Sequence, residues 1–339
     1  MPARDVRAGT DRARATARRT TVPAAPRPTP EAGGDRVVLG TVPALVPLCG
    51  ALLVLAGVVG AAAVVPTYLV VGGEELRQAR GLWSALVALL VPAVHVAVGG
   101  TLLRRAVPKF GLAYAAVTGA LAVGQLLIES YRGSSSTSRP GVEVLAGERV
   151  LTTGVQIGAG WVLGVGALGL AVLAGAVGMS AWGRTVMEDR GALDPVRSLL
   201  AGAAVLLGVA AALCLALPAA DVPDELRTDP ATGLQTVVTR EGPQALLERP
   251  GLALLGGLLL AGALLLCSVV APSLRPRLGA VGGLLAVAVT VFGAGLGGLR
   301  DAVVSDELDW TVPGVGLLLV GLALLALTAV AWGARRSIA

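Results

Sequence analysis

Eight long apolar runs dominate the sequence, and polar links or loops separate each run from the next. A helix needs about 20 apolar residues to cross roughly 30 Å of hydrocarbon, and all the runs are near or above that length. They predict an all-α, polytopic integral membrane protein built as a bundle of eight transmembrane helices. The third run is the shortest. The predicted spans are about 42–65, 82–103, 111–128, 154–179, 198–218, 251–271, 278–299 and 313–333.

All charged residues lie outside these eight runs. An ionised side chain is costly inside a bilayer, so this exclusion supports the assignment of each run as a span. Only 14% of the residues are charged, 55% are hydrophobic and the mean hydropathy is +0.78. Such a composition is far from that of a soluble globular domain.

The link between the second and third runs sets the predicted orientation. It holds Arg104, Arg105 and Lys109 without an acidic residue, and short links rich in Arg and Lys stay on the cytoplasmic side. With the N-terminus also inside, the cytoplasmic segments contain 18 Arg or Lys against 7 Asp or Glu, and the external loops contain 9 against 15. The sequence therefore predicts cytoplasmic termini and four outward-facing hairpins with the longer loops outside.

The two ends of the chain are predicted to be polar tails. We expect residues 1–36 to form a disordered basic cytoplasmic tail, residues 37–334 to form the transmembrane domain, and residues 335–339 to form a short cytoplasmic tail. The composition, rich in Ala, Gly and Arg with a single lysine, is typical of a high-GC bacterial genome. We therefore expect a multi-pass protein of the bacterial inner (plasma) membrane.

Short similar segments recur after three odd-numbered runs. They are Glu-Glu-Leu-Arg at 74–77, Asp-Glu-Leu-Arg at 224–227 and Asp-Glu-Leu-Asp at 306–309. The recurrence suggests a duplicated hairpin. Its copies would be parallel, because an even number of spans separates equivalent segments.

Three polar residues in the predicted spans form the candidate intramembrane site. His95, the single histidine, follows Pro92 in the second span, where the proline kinks the helix and frees a carbonyl. Gln125 lies near the outer end of the third span and Gln156 near the outer start of the fourth, so we expect their amides to meet across the hairpin. Two roles stay open for each residue: a hydrogen bond between helices, or contact with a proton or substrate.

The sequence contains no motif for catalysis, cofactor binding or metal binding. P-loop, GxSxG, HExxH and dinucleotide-binding patterns are absent. Cys49, Cys214 and Cys267 lie inside apolar runs without CxxC spacing, as packing residues do. We expect no catalytic residue, no cofactor and no metal.

These features favour a non-catalytic multi-pass protein, an accessory or scaffold component of a bacterial cell-envelope or transport system. The alternative is a transporter or permease for a small or lipid-like molecule, without the midplane charges of ion-coupled carriers. An outer-face membrane enzyme or a sensor is a further alternative. The expected partners are the lipid bilayer and either another membrane protein or a second copy of the chain. Because basic residues are sorted by membrane side, the pI of about 9.7 does not indicate nucleic acid.

The predicted orientation can be tested by thiol labelling of intact cells. We expect single cysteines at Ser135 and Thr232, in the long loops, to react with a membrane-impermeant maleimide, whereas a cysteine at Ser273, in a short link, is protected. Labelling at all three positions, or at Ser273 alone, would contradict the orientation.

Overall fold

The computed structural model describes most of the chain from residue 38 onward. The predicted tails, 1–36 and 335–339, lie outside the described residues, as do parts of the similar segments at 224–227 and 306–309. The described ranges are 38–40, 42–71, 74–134, 142–145, 148–151, 155–188, 193, 196–221, 225–228, 235–238, 251–304 and 308–333.

Eight α-helices in the described residues are long and apolar enough to cross a membrane, as expected of a helical membrane protein. We call the end of the bundle where α2 is linked to α3, and α6 to α7, the link end, and the opposite end the loop end. A 3-10 turn at Ala271–Ser273 extends the sixth helix. The helices are α1 (Leu45–Ala62), α2 (Leu82–Leu103), α3 (Pro108–Ser134), α4 (Ala159–Trp182), α5 (Arg197–Ala216), α6 (Gly251–Val270), α7 (Arg277–Val304) and α8 (Val312–Gly333).

Short antiparallel strands lie in the connections between the helices. β2 pairs with both β3 and β6, while β4 pairs with β5, β9 with β10, β8 with β11 and β1 with β7. The strands are β1 (Val38–Leu39), β2 (Leu69–Val71), β3 (Glu74–Leu76), β4 (Val142–Leu145), β5 (Glu148–Leu151), β6 (Val155–Ile157), β7 (Met187–Glu188), β8 (Ala220–Asp221), β9 (Glu225–Thr228), β10 (Gln235–Val238) and β11 (Asp309–Trp310).

The eight helices pack as two similar halves, α1–α4 and α5–α8. In the first half α1 packs against α2 and α4, and α3 packs against α4; in the second half α5 packs against α6 and α8, and α7 packs against α8. Between the halves α3 contacts α7 and α6, and α7 contacts α2. The same helix contacts thus recur in both halves, and equivalent helices run in the same direction because four helices separate them, which we describe as an approximate two-fold repeat with parallel halves. The repeating unit is thus four helices rather than the hairpin that the sequence suggested.

The strands and turns repeat in the same way. The first helix of each half is followed by a proline, Pro66 or Pro218, and then by a strand that pairs with the strand before the fourth helix of that half. These pairs are β2 with β6 and β8 with β11. β1 and β7, which precede the first helices of the two halves, pair with each other. The connections therefore support the same division of the chain.

A buried cation in the first turn of α3 and of α7 caps the fourth helix of the same half. Lys109 Nζ donates to the carbonyl of Trp182 at 2.6 Å and lies 4.1 Å from the centre of the Trp182 ring. Arg277 Nη1 donates to the carbonyl of Trp332 at 3.3 Å. Only 9% of Lys109 and 2% of Arg277 is exposed. Each cation thus meets carbonyls at a helix C-terminus, where positive charge is favourable.

α3 and α7 form the centre of the bundle, and small residues allow their neighbours to approach closely. Both helices are buried along much of their length. A methyl group on Gly119 of α3 would lie 2.7 Å from Gly175 Cα of α4. Glycine is therefore needed at this contact, as in other close helix pairs of membrane proteins.

The central helices are longer than their apolar runs. α3 has 27 residues and α7 has 28, although 111–128 is the shortest predicted span. The difference lies in charged end residues such as Lys109, Glu129 and Arg132, which belong to the helix because other groups pair with them. The α-helices therefore extend beyond the apolar runs that predicted the spans.

The cation caps predict a loss of stability on substitution. Lys109→Met keeps the length of the side chain but removes the charged hydrogen bond, and we expect the free energy of unfolding to fall by about 1.5–3 kcal/mol. Arg104→Met, at an exposed position of the link end, is the control and should change the free energy of unfolding by less than about 0.5 kcal/mol. SDS-induced unfolding of the purified protein measures both. Equal effects would show that the buried cap is not stabilising.

Candidate functional site

A cavity of about 600 Å³ lies between α2, α3 and α7, with further walls from α1 and α4. It reaches from His95 and Tyr114 inside the bundle to Glu129 and Asp301 near the loop end. Its volume is within the range of small-molecule sites. Because polar side chains of several spans line it, this cavity is the candidate functional site.

Small residues of α7 create much of this space. Gly293, Ala294, Gly297 and Gly298 all line the cavity. A methyl group on Gly297 would meet no atom within 4 Å, and one on Gly293 would meet only Val91 Cγ2, at 3.1 Å. The cavity wall on α7 is therefore nearly bare backbone.

The inner part of the cavity carries uncharged polar groups. The His95 ring meets the edge of Tyr114, with ring centres 5.9 Å apart, and His95 Nε2 is buried without a hydrogen-bond partner in the described part of the chain. Thr118 and Gln125 of α3 also line the cavity, and Thr290 of α7 lines it while donating to the Ala286 carbonyl at 2.9 Å. The inner cavity thus offers hydroxyl, amide and imidazole groups.

Pro92 adds a backbone acceptor to this set. Proline lacks an N–H, so the carbonyl four residues earlier, that of Ala88, loses its helical partner. Pro92 lies inside α2, and both it and Ala88 line the cavity. The Ala88 residue that lines the cavity thus has a carbonyl outside the helical hydrogen-bond pattern.

A charged cluster surrounds the mouth of the cavity. Glu129 accepts a hydrogen bond from the Tyr68 hydroxyl at 2.7 Å and pairs with Arg132 at 3.0 Å. The Trp161 indole donates to the Glu129 carbonyl at 2.9 Å. Asp301 lines the same end of the cavity and pairs with Arg300 at 2.7 Å. The mouth thus contains two carboxylates and two guanidinium groups.

Tyr68 remains a neutral donor in this cluster. It lies between α1 and β2, outside the helices. Burial, and to a lesser extent the adjacent Glu129 carboxylate, raise the pKa of the Tyr68 phenol, because both disfavour the phenolate. The phenol is therefore held in its neutral form, which donates the hydrogen bond to Glu129.

The structure places the three predicted site residues in two locations. His95 and Gln125 line the cavity. Gln156 does not belong to α4: it lies exposed in strand β6, opposite Val70 of β2, three residues before the helix begins. No hydrogen bond joins Gln125 to Gln156 in the described structure, so the expected contact between their amides is not formed. The apolar residues Val155 and Ile157 extended the predicted span into a strand.

Several lining residues are not among the predicted site residues. Tyr114, Thr118 and Thr290 are ordinary polar or aromatic residues of apolar runs, whereas Tyr68 and Glu129 lie just beyond run ends. His95, beside Pro92, and Gln125 were the local signals of the site in the sequence. In the described part of the chain, no group of three His, Cys, Asp or Glu residues is placed to hold a metal ion.

Comparison with known proteins adds no relative. No protein-family model, curated protein or solved structure matches this chain. Function must therefore be inferred from the cavity and its surroundings.

The cavity predicts a difference in thiol reactivity between two neighbouring positions of α7. In a protein with Cys49, Cys214 and Cys267 replaced by alanine, Thr290→Cys places a thiol on the cavity wall, and Ala288→Cys places one in the packed core. Because thiols react as thiolates, which need water to form, we expect the cysteine at position 290 to react about tenfold faster or more with a charged methanethiosulfonate. Equal rates would contradict a water-accessible cavity.

Proposed function

We propose that this chain is a transporter or permease that binds a small or lipid-like molecule in the cavity between α2, α3 and α7. The cavity itself carries the proposal, because its volume suits a small molecule. Its inner wall offers hydrogen-bonding groups without a formal charge. Such a wall favours an uncharged part of the ligand and gives no support for coupling to a proton or sodium ion.

The orientation and location are part of this proposal. The excess of basic residues at the link end and of acidic residues in the longer loops supports cytoplasmic termini in a bacterial plasma membrane. The four hairpins then face outward, and the charged mouth of the cavity opens on the outer side. The ligand is therefore received from outside the cell or from the outer leaflet.

A non-catalytic accessory or scaffold component of a cell-envelope or transport system is the second candidate. Glycines on the outer helix faces favour it, because a methyl group on Gly166 of α4, Gly202 of α5 or Gly262 of α6 would meet no atom within 4 Å. Such faces allow a helix of a partner protein or of a second copy to approach closely.

Two glycine variants test whether the cavity holds a ligand. Gly297→Phe fills the cavity, and Gly166→Phe adds the same side chain to α4 outside it; neither position has an atom within 4 Å of the new Cβ. Replacement of glycine within a helix also favours helix formation, so both variants should fold. We expect wild type and Gly166→Phe to retain a small molecule or lipid after purification in gentle detergent, and Gly297→Phe to lose it.

Native mass spectrometry of the purified proteins is the measurement. Retention of the same molecule by all three proteins would show that it binds elsewhere. A stoichiometric protein partner, with no small molecule in wild type, would favour the accessory component instead.

A further inference from the structure

The cavity has a lateral gap between α2 and α7, bounded by Ala88 and Val91 on one side and by Gly293 and Gly297 on the other. All four residues line the cavity. A methyl group on Gly293 would reach Val91 Cγ2 at 3.1 Å, whereas one on Gly297, a turn nearer the loop end, would meet nothing within 4 Å. α2 and α7 therefore separate from the level of Val91 toward the loop end.

The equivalent contact between the halves is closed. There α3 meets α6, and a methyl group on Gly124 would lie 2.6 Å from the Gly256 carbonyl oxygen, while one on Gly256 would lie 2.8 Å from that of Gly124. Backbone thus meets backbone at this contact. The lateral gap is a departure from the approximate two-fold symmetry and not a general property of the packing.

The outer face of α2 is exposed beside this gap. Leu86 is 56% exposed and Leu89 is 36% exposed. Since these leucines belong to a helix apolar enough to span a membrane, their natural surroundings are lipid chains. α2 therefore borders both the lateral gap and the lipid.

We propose that the cavity receives the headgroup of a lipid through this lateral gap, while the acyl chains remain in the bilayer. The inference rests on the proposed ligand-binding function and specifies its substrate class. A wholly apolar ligand would leave the Thr118, Gln125 and Ala88 polar groups without partners, at a cost in free energy. A lipid headgroup supplies hydrogen-bonding partners, and the lateral gap accommodates its chains.

The charges at the mouth specify the headgroup further. Glu129 with Arg132, and Asp301 with Arg300, form two neutral pairs. Among the described residues these four charges compensate one another, so they give no preference for a headgroup of net charge. A zwitterionic or uncharged headgroup can exchange hydrogen bonds with both signs, so it matches the mouth better than an anionic one.

A removable cross-link across the lateral gap tests this inference. In the protein lacking native cysteines, Ala88→Cys and Gly297→Cys place one thiol on each side of the open part of the lateral gap. A bifunctional methanethiosulfonate joins the two thiols through a disulfide at each end, and a reductant removes this α2–α7 disulfide bridge. The protein is placed in liposomes with a phosphatidylcholine that carries a diazirine on its headgroup, irradiated, and digested for mass spectrometry. Labels on Thr118 or Gln125 of α3 report the cavity interior and not the outer helix faces.

We expect α3 to be labelled in the reduced double variant, to lose the label when the disulfide forms, and to regain it on reduction. The matched control joins the native Cys49 to Gly178→Cys at the link end, where the methyl position lies 3.5 Å from Cys49 Sγ. That disulfide links α1 to α4 and should leave labelling unchanged. A phosphatidylglycerol with the same headgroup label should label α3 less.

Labelling of α3 that persists with the α2–α7 disulfide would overturn lateral entry, and absence of label in the reduced protein would overturn lipid binding. The proposed ligand-binding function has its own test in native mass spectrometry. It is contradicted when wild type retains no ligand, or when Gly297→Phe still retains the ligand of wild type. A ligand that Gly297→Phe loses, but whose binding is unchanged by the α2–α7 disulfide, would enter through the mouth, and lateral entry would be wrong.

Discussion

The packing of α3 and α7 at the centre of the bundle is the constraint on which the rest of the structure depends. Each central helix is fixed in depth at its first turn by a buried cation, Lys109 or Arg277, bonded to the last carbonyls of a neighbouring helix. A buried cation is tolerated only where its charge and its N–H groups are met. The two caps therefore join the central helix of each half to the fourth helix at the link end.

The cavity follows from unequal contacts between the two halves. Gly124 and Gly256 bring α3 and α6 into backbone contact, whereas Gly297 of α7 lies where α2 comes no nearer than 4 Å to an added Cβ, on the part of α2 that also contains Pro92. Small residues thus have opposite effects in the two places. Where two glycines face each other they close the contact, and where glycine faces a diverging helix it leaves open space. A duplicated architecture with one altered contact is sufficient to create a single, one-sided site.

The sequence predicted the eight helices well, because stretches of about 20 apolar residues without charge have few other stable structures. It did not predict the full length of α3, since Lys109 and Glu129 interrupt the hydrophobicity and only their partners keep them in the helix. It misplaced Gln156, because hydrophobicity does not separate a short strand from the first turn of a span. The four-helix repeat has weak local signals, Pro-Lys-Phe-Gly at 108–111 with Pro-Arg-Leu-Gly at 276–279, and Ala-Trp-Gly at 181–183 and 331–333. These short matches identify a repeat only together with the equivalent hydrogen bonds of Lys109 and Arg277.

Only some residues of the candidate site could be predicted from the sequence, because hydrophobicity does not show which polar residues face a cavity. His95 beside Pro92 and Gln125 are exceptional within apolar helices, so they could be singled out from the sequence, whereas Tyr114, Thr118 and Thr290 resemble the residues that hold helices together. Whether such a residue contributes to packing or faces a cavity depends on how far apart neighbouring helices lie, and that distance is set by residues elsewhere, such as Gly124 and Gly256. The absence of charged residues from the middle of the predicted spans fits such a cavity. A cavity that opens sideways to lipid does not need to neutralise or desolvate an ion, because the apolar part of an amphipathic ligand never has to leave the bilayer.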